Sequence, residues 1–168
     1  MRKAKKITVS AILIALTVVL LYLAAFFPVM SLSLIAIAGL LPAVAIIECG
    51  VSYSAAMYLA SCILTLLLIP DKSCAILYAV LFGNYPFVKY FAERIKSHVL
   101  SWCIKIGAAN ALFALLFFVF RSVLLSFVPD NVLLIVTIAL FNIIFIMYDF
   151  CFTKLTAFYM TRVHQHIV

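Results

Sequence analysis

Charge is scarce in this chain. Only 10% of its 168 residues are charged and five are acidic, whereas 69% are hydrophobic and the mean hydropathy is +1.34. Soluble domains carry about 25% charged residues, so this composition excludes a soluble domain and indicates an integral membrane protein. A formal net charge of +7 would suggest an anionic partner for a soluble protein. Here we assign the cations mainly to membrane topology and anionic lipid of the bilayer, and expect no nucleic-acid partner.

The motifs of common enzymes are also missing. The sequence has no H-E-x-x-H, no G-x-S-x-G and no Walker loop, and no two carboxylates share a depth in the membrane. We therefore predict no enzymatic activity, no cofactor and no metal site, and any active transport would need a partner or an ion gradient. The cysteines lack C-x-x-C spacing and a neighbouring histidine, so we expect small buried residues: Cys49, Cys62, Cys74, Cys103 and Cys151.

The first apolar run is a membrane anchor. The basic residues Arg2, Lys3, Lys5 and Lys6 precede 21 uncharged residues, 7–27. A helix of that length covers a hydrocarbon core of about 30 Å at about 1.5 Å per residue. A cleaved signal peptide is the alternative, but the run exceeds the usual apolar region of such peptides and lacks a small-x-small cleavage pattern.

Five further apolar runs follow, separated by proline-containing or polar segments. We predict an all-α integral membrane protein with one membrane domain over residues 1–168. The fourth run contains Gly83-Asn84-Tyr85-Pro86, where we expect a kink. The six predicted transmembrane helices cover approximately 7–27, 32–48, 52–69, 74–91, 101–124 and 132–152.

Basic residues are distributed unevenly between the two sides of these helices. Ten of them fall on the side of the N-terminus, whereas Lys72 and Arg121 alone fall on the other side. Because lysine and arginine are retained in the cytoplasm, this bias predicts a multi-pass protein of the cell membrane with both termini cytoplasmic.

Polar residues within the apolar runs mark candidate sites. Asn84, Asn110 and Asn142 each lie about 15 Å into a predicted helix, close to the membrane midplane. They have two interpretations, hydrogen bonding between helices or a substrate site. Lys105 and Asp149 are expected to form an ion pair near the inner interface, since an unpaired charge in the bilayer is unfavourable.

The residues from Lys5 to Leu66 contain Ala11-x-x-x-Ala15 after a basic start, then Leu41-Pro42 and Gly50, and then small residues in helix three. Together with the chain length and the six helices, this stretch resembles the substrate-binding S component of an energy-coupling factor (ECF) vitamin transporter. It implies an S-component-like bundle in which Ala11 and Ala15 dock against a T-type coupling subunit, with ATPase subunits driving the complex. Small residues four apart independently predict a face that another helix can approach closely.

The resemblance also implies a vitamin or related small-molecule solute bound near the outer face. The polar residues expected there come from separate segments, as a convergent site requires; they are Tyr78, Arg121, Asp130 and Asn131, beside Asp71 and Lys72. Arg121 is the candidate anchor for an anionic or carbonyl-bearing solute, because its planar fork offers several donors. Solvated helix ends are the alternative interpretation of these residues.

A different class of function stays open. The protein could be a membrane scaffold or assembly factor whose cytoplasmic segment 89–98 binds another protein. A solute-capture subunit would be stabilised by a small molecule, whereas a scaffold would co-purify with a protein and show no ligand-dependent melting shift.

Overall fold

The computed structural model describes residues 3–95, 97–119 and 134–164, and these residues form helices and no strand. The helices are α1 Lys3–Phe26, α2 Ser31–Ala38, α3 Leu41–Cys49, α4 Val51–Leu68, α5 Lys72–Leu77, α6 Tyr85–Ala92, α7 His98–Val119 and α8 Leu134–Tyr159. A 3₁₀ turn, Pro28–Met30, precedes α2, and π-helical turns cover Tyr78–Phe82 and Met160–His164.

Among the residues that the structure describes, six helical segments are long and apolar enough to cross a membrane: Lys3–Phe26, Pro28–Cys49, Val51–Leu68, Lys72–Ala92, Val99–Phe117 and Ile138–Arg162. This confirms the predicted all-α, six-span, multi-pass membrane architecture.

The sequence predicted one continuous helix over 32–48, but the second span consists of two helices. Helix α2 ends at Ala38 and α3 begins at Leu41, with a turn at Gly39 and Leu40. Pro42 explains the break, because it has no N–H to donate to the carbonyl four residues earlier. A proline is tolerated in the first turn of α3, where that N–H would have no partner within the helix.

The fourth span is interrupted where the sequence predicts a kink. Helix α5 passes into a π-helical turn, closed by a 2.7 Å hydrogen bond from Gly83 N to Tyr78 O, before α6 begins. A Cβ at Gly83 would lie 2.8 Å from the Tyr58 ring and 2.9 Å from the Tyr78 ring. Only glycine therefore allows both rings to pack against the backbone here.

The sixth helix is longer than predicted. Helix α8 runs to Tyr159 and its π-helical turn to His164, whereas the sequence predicted an end at about Phe152. No glycine or proline occurs between residues 134 and 164, so no residue strongly disfavours the helix beyond the apolar run. Lys154 and Arg162 consequently lie on this helical segment.

The chain divides into two compact units, and the prediction of one membrane domain stays a prediction. Unit 1 comprises Met1–Phe87 and Phe158–Val168, and within it α1 packs against α2, α3 and α4. Its core contains Leu13, Leu41, Ala45 and Met57. Gly50, with φ of 91°, makes the tight turn between α3 and α4, a backbone conformation that favours glycine.

Unit 2 comprises Val88–Ala157 and therefore contains the end of α6, all of α7 and most of α8. The Phe113 and Phe141 rings stack with centroids 4.3 Å apart and join α7 to α8. The same two helices also carry polar residues that pair with one another and are described next.

Candidate functional site: a buried charge cluster and an amide pair

Four charged side chains meet in unit 2, and together we call them the charge cluster: Lys89, Glu93, Lys105 and Asp149. They come from α6, the residue after its end, α7 and α8. Three of them are almost fully buried, with side-chain exposures of 7% for Lys89, 6% for Lys105 and 4% for Asp149. Glu93 is 50% exposed and is the cluster's link to the surface.

Asp149 supplies one carboxylate oxygen to each lysine. Its Oδ1 pairs with Lys89, and its Oδ2 lies 3.6 Å from the Lys105 ammonium nitrogen. The expected ion pair between Lys105 and Asp149 is therefore confirmed. Pairing of this kind is needed because an isolated charge in a low-dielectric interior is strongly unfavourable.

Glu93 bridges both lysines with a single oxygen. Its Oε1 lies 3.3 Å from the Lys89 nitrogen and 3.1 Å from the Lys105 nitrogen. Lys89 also donates to the Thr153 hydroxyl at 2.7 Å, and that hydroxyl donates to the Asp149 carbonyl. The charge cluster thus combines two ammonium groups with two carboxylates, equal numbers of positive and negative charges, and the Thr153 hydroxyl is an additional hydrogen-bond partner of Lys89.

The role of Lys89 was missed by sequence reasoning, which placed it in a cytoplasmic polar segment. Lys89 instead lies in the last turn of α6 and is buried. One signal was available. Lys89 and Glu93 are one helical turn apart, so a lysine on an apolar helix already had an acidic neighbour beside the expected Lys105–Asp149 pair.

Asn110 and Asn142 form a reciprocal amide pair. Asn110 Nδ2 donates to Asn142 Oδ1 at 2.9 Å, and Asn142 Nδ2 donates to Asn110 Oδ1 at 3.1 Å. Each amide also donates to the carbonyl four residues earlier, those of Ile106 and Ile138. The pair joins α7 to α8 as the interhelical interpretation expects, and its role in substrate binding stays a prediction.

Asn84 and Tyr78 belong to unit 1. Asn84 is partly buried in the turn before α6, where its carbonyl accepts from Phe87 N at 3.1 Å. The Tyr78 side chain is fully buried, and its hydroxyl lies 3.0 Å from the Ser61 hydroxyl. Tyr78 is therefore a packed core residue of unit 1, because its exposed fraction is zero.

The other residues of the predicted outer site divide into two groups. Arg121, Asp130 and Asn131 lie outside the described residues. Asp71 and Lys72 are engaged in helix ends: the Asp71 carboxylate accepts from Ser73 N at 2.9 Å, and Lys72 donates to the carbonyls of Leu66 and Ile69. These contacts match the solvated-end interpretation, since they satisfy backbone groups that the helices leave unpaired.

Ala11 and Ala15 are both exposed on α1. The buried residues of this helix, Leu13, Thr17, Leu21 and Ala24, lie on its opposite side. The alanine pair therefore faces away from the core of unit 1.

The cysteines only partly match the expectation of burial. Cys49 and Cys74 are buried and Cys62 is intermediate, whereas Cys103 and Cys151 are exposed. All five are free thiols, and the exposed two lie on apolar spans, where a small apolar side chain is compatible with lipid.

No protein-family model, curated protein or solved structure matches this chain.

Proposed function

We propose that this chain is a solute-capture subunit of a membrane transporter, similar to the S components of ECF transporters. It binds a vitamin or related small molecule from the outer side and works with a T-type coupling subunit and ATPase subunits. Both termini are cytoplasmic in this proposal, and the membrane is the cell membrane. Arg121, with Asp130 and Asn131, remains the proposed outer site for the solute, whereas Tyr78 is left out of it because its side chain is fully buried in the core of unit 1.

The exposed small-residue stripe of α1 is the observation that carries the proposal. The stripe consists of Ala4, Thr8, Ala11 and Ala15, all of them exposed and spaced four, three and four residues apart. At about 100° per residue these positions lie on one line along the helix. Ile7 and Ile12, 60% and 62% exposed, flank the stripe and form the walls of a shallow groove.

A stripe of this kind fits a partner helix. In a bilayer, apolar side chains gain little from leaving lipid, so helices associate through close packing of small residues. The stripe occupies the first half of α1, whereas the second half exposes the large residues Val19, Tyr22 and Phe26. A partner helix would therefore approach closest near the basic N-terminal end.

Tryptophan substitutions test the docking step. Ala11→Trp and Ala15→Trp should each weaken co-purification with a co-expressed T-type subunit, because the indole would hold the two helices apart. Leu16→Trp is the matched control, since Leu16 is exposed on the same helix but lies off the stripe. All three variants should melt like the wild type when isolated. Full partner retention by both alanine variants would contradict the proposal.

The scaffold function is the second candidate, and one surface feature favours it. Arg94 is exposed, donates to the Tyr90 hydroxyl and stacks over the Tyr90 ring at 4.5 Å, presenting a fixed cation after α6. Lys89 is unsuited to this role because it is buried. Loss of a co-purifying protein on Arg94→Ala, with retention on Ala11→Trp, would favour the scaffold over the capture subunit.

A further inference from the structure

We propose that the charge cluster of unit 2 is a binding site for an anionic phosphate group, and that the Glu93 carboxylate occupies the phosphate position in the unliganded protein. This inference is independent of the proposed transport function. It rests on the unequal burial of the two carboxylates that serve the two lysines.

The Asp149 and Glu93 carboxylates differ in how unfavourable it would be to move each of them away from the two lysines. Asp149 is 4% exposed and contacts both ammonium groups, so loss of its charge would leave two buried cations with only the half-exposed Glu93 carboxylate. Glu93 is half exposed, and its displaced carboxylate would regain water. The Glu93 backbone remains bonded to α6, with its N–H donating to Lys89 O at 2.9 Å, so rotation of the side chain alone would free the position.

The position that Glu93 Oε1 occupies suits an oxyanion. One oxygen there lies 3.3 and 3.1 Å from two ammonium nitrogens on two different helices, and the nearer one, that of Lys105, donates a hydrogen bond to it. A phosphodiester offers such an oxygen and carries one negative charge, so exchange with the Glu93 carboxylate would keep the cluster neutral. Lysine ammonium groups are common phosphate donors in proteins.

The location of Glu93, the exposed member of the charge cluster, also matches that of lipid phosphate groups. The fourth span ends at Ala92 and the fifth begins at Val99, so Glu93 lies just beyond the end of a span. Lys105 lies seven residues after the start of α7, about 10 Å along the helix axis. Basic pockets between transmembrane helices on the cytoplasmic side bind the headgroups of anionic lipids, and the topology predicted from the basic residues places Glu93 on that side. A soluble phosphate is the other source of the same chemistry.

Melting of the full chain in lipid nanodiscs tests the proposal. The nanodiscs would contain phosphatidylcholine alone, or phosphatidylcholine with phosphatidylglycerol, and inorganic phosphate would be titrated separately into the first kind. Glu93→Gln removes the competing carboxylate, so its apparent affinity for the phosphate source should rise about tenfold. Its melting temperature should accordingly increase more with that source than the wild type's does.

Two further variants make the result specific. Lys154→Gln removes an exposed cation of α8 that lies outside the cluster, and it should respond like the wild type. Glu93→Asp keeps the charge but shortens the reach, so it should also bind the phosphate source more tightly than the wild type does. It replaces Glu93→Gln if that variant does not fold.

The two sources give different outcomes. A larger response of the Glu93 variants to phosphatidylglycerol alone assigns the site to lipid, with native mass spectrometry showing one more retained lipid per chain than in the wild type. A larger response to inorganic phosphate alone assigns it to a soluble phosphate. If neither source distinguishes the Glu93 variants from the wild type, the cluster is a closed structural ion network and the proposal is wrong.

Discussion

At the scale of single residues, Asp149 is the group on which the charge cluster depends. Asp149→Leu should lower the free energy of unfolding by about 3 to 5 kcal/mol, because it leaves two buried lysines with one half-exposed carboxylate. Glu93→Gln in neutral lipid is the matched comparison and should lower it by about 1 kcal/mol or less, since water screens a half-exposed pair. Reversible unfolding of both variants in neutral lipid would measure the two losses. Equal losses for the two variants would contradict the unequal roles assigned to the two carboxylates.

Substitutions in the amide pair and at Arg121 should affect different properties, the stability of the ligand-free protein and the binding of the solute, respectively. Asn110→Ala should lower the free energy of unfolding of the ligand-free protein by about 0.6 to 2 kcal/mol, because it removes an interhelical hydrogen-bonded pair. Arg121→Ala should instead abolish thermal stabilisation by the bound solute. If Asn110→Ala removes solute binding and Arg121→Ala leaves it intact, the solute site lies at the amide pair.

At the scale of elements, the fourth span depends on a glycine. Gly83→Ala would place a Cβ 2.8 Å from the Tyr58 ring, so the variant should melt at a lower temperature than the wild type. Gly107→Ala is the control, because a Cβ there meets nothing within 4 Å and alanine favours a helix by about 1 kcal/mol over glycine. The two substitutions should therefore shift the melting temperature in opposite directions. If Gly83→Ala melted at the same temperature as the wild type, the Tyr58 and Tyr78 rings would be able to move aside and the prediction would be wrong.

The helix that the sequence predicted best is one whose two ends are marked by a glycine and a proline. Helix α4 was predicted within one residue at both ends, because Gly50 and Pro70 bound an unbroken apolar run. The turn at Gly39 was missed, since Pro42 interrupts the helix without any polar residue to mark the break. The extension of α8 was missed because helical hydrogen bonding continues past the apolar run when no glycine or proline opposes it.

At the scale of the whole molecule, the candidate site was predicted only in part. Depth along each helix gave the Lys105–Asp149 pair and placed Asn110 and Asn142 at the same level, but it did not separate these two asparagines from Asn84, which belongs to unit 1. Lys89 was missed because it was grouped with the polar residues that begin at Glu93, whereas its burial depends on packing within unit 2. Hydropathy averages over a segment and cannot show which face of one turn is covered.

Membrane topology can be tested with single cysteines in a cysteine-free background. Ser97→Cys should label only from the cytoplasm and Pro70→Cys only from outside, because the fourth span lies between these two exposed residues. Both Pro70 and Ser97 are exposed, and neither belongs to the charge cluster. Thiol-directed probes that do not cross the membrane would report the side. Labelling of both positions from one side would contradict the six-span arrangement.

The most direct test of the capture function is identification of the small molecule that the protein retains. The full chain would be purified gently from its membrane, and its bound non-lipid molecules identified by mass spectrometry and then added back during melting. We expect one small solute per chain that raises the melting temperature of the wild type and not that of Arg121→Ala. A preparation that retains another protein but no small molecule, and melts at the same temperature with every candidate solute, would contradict the capture function.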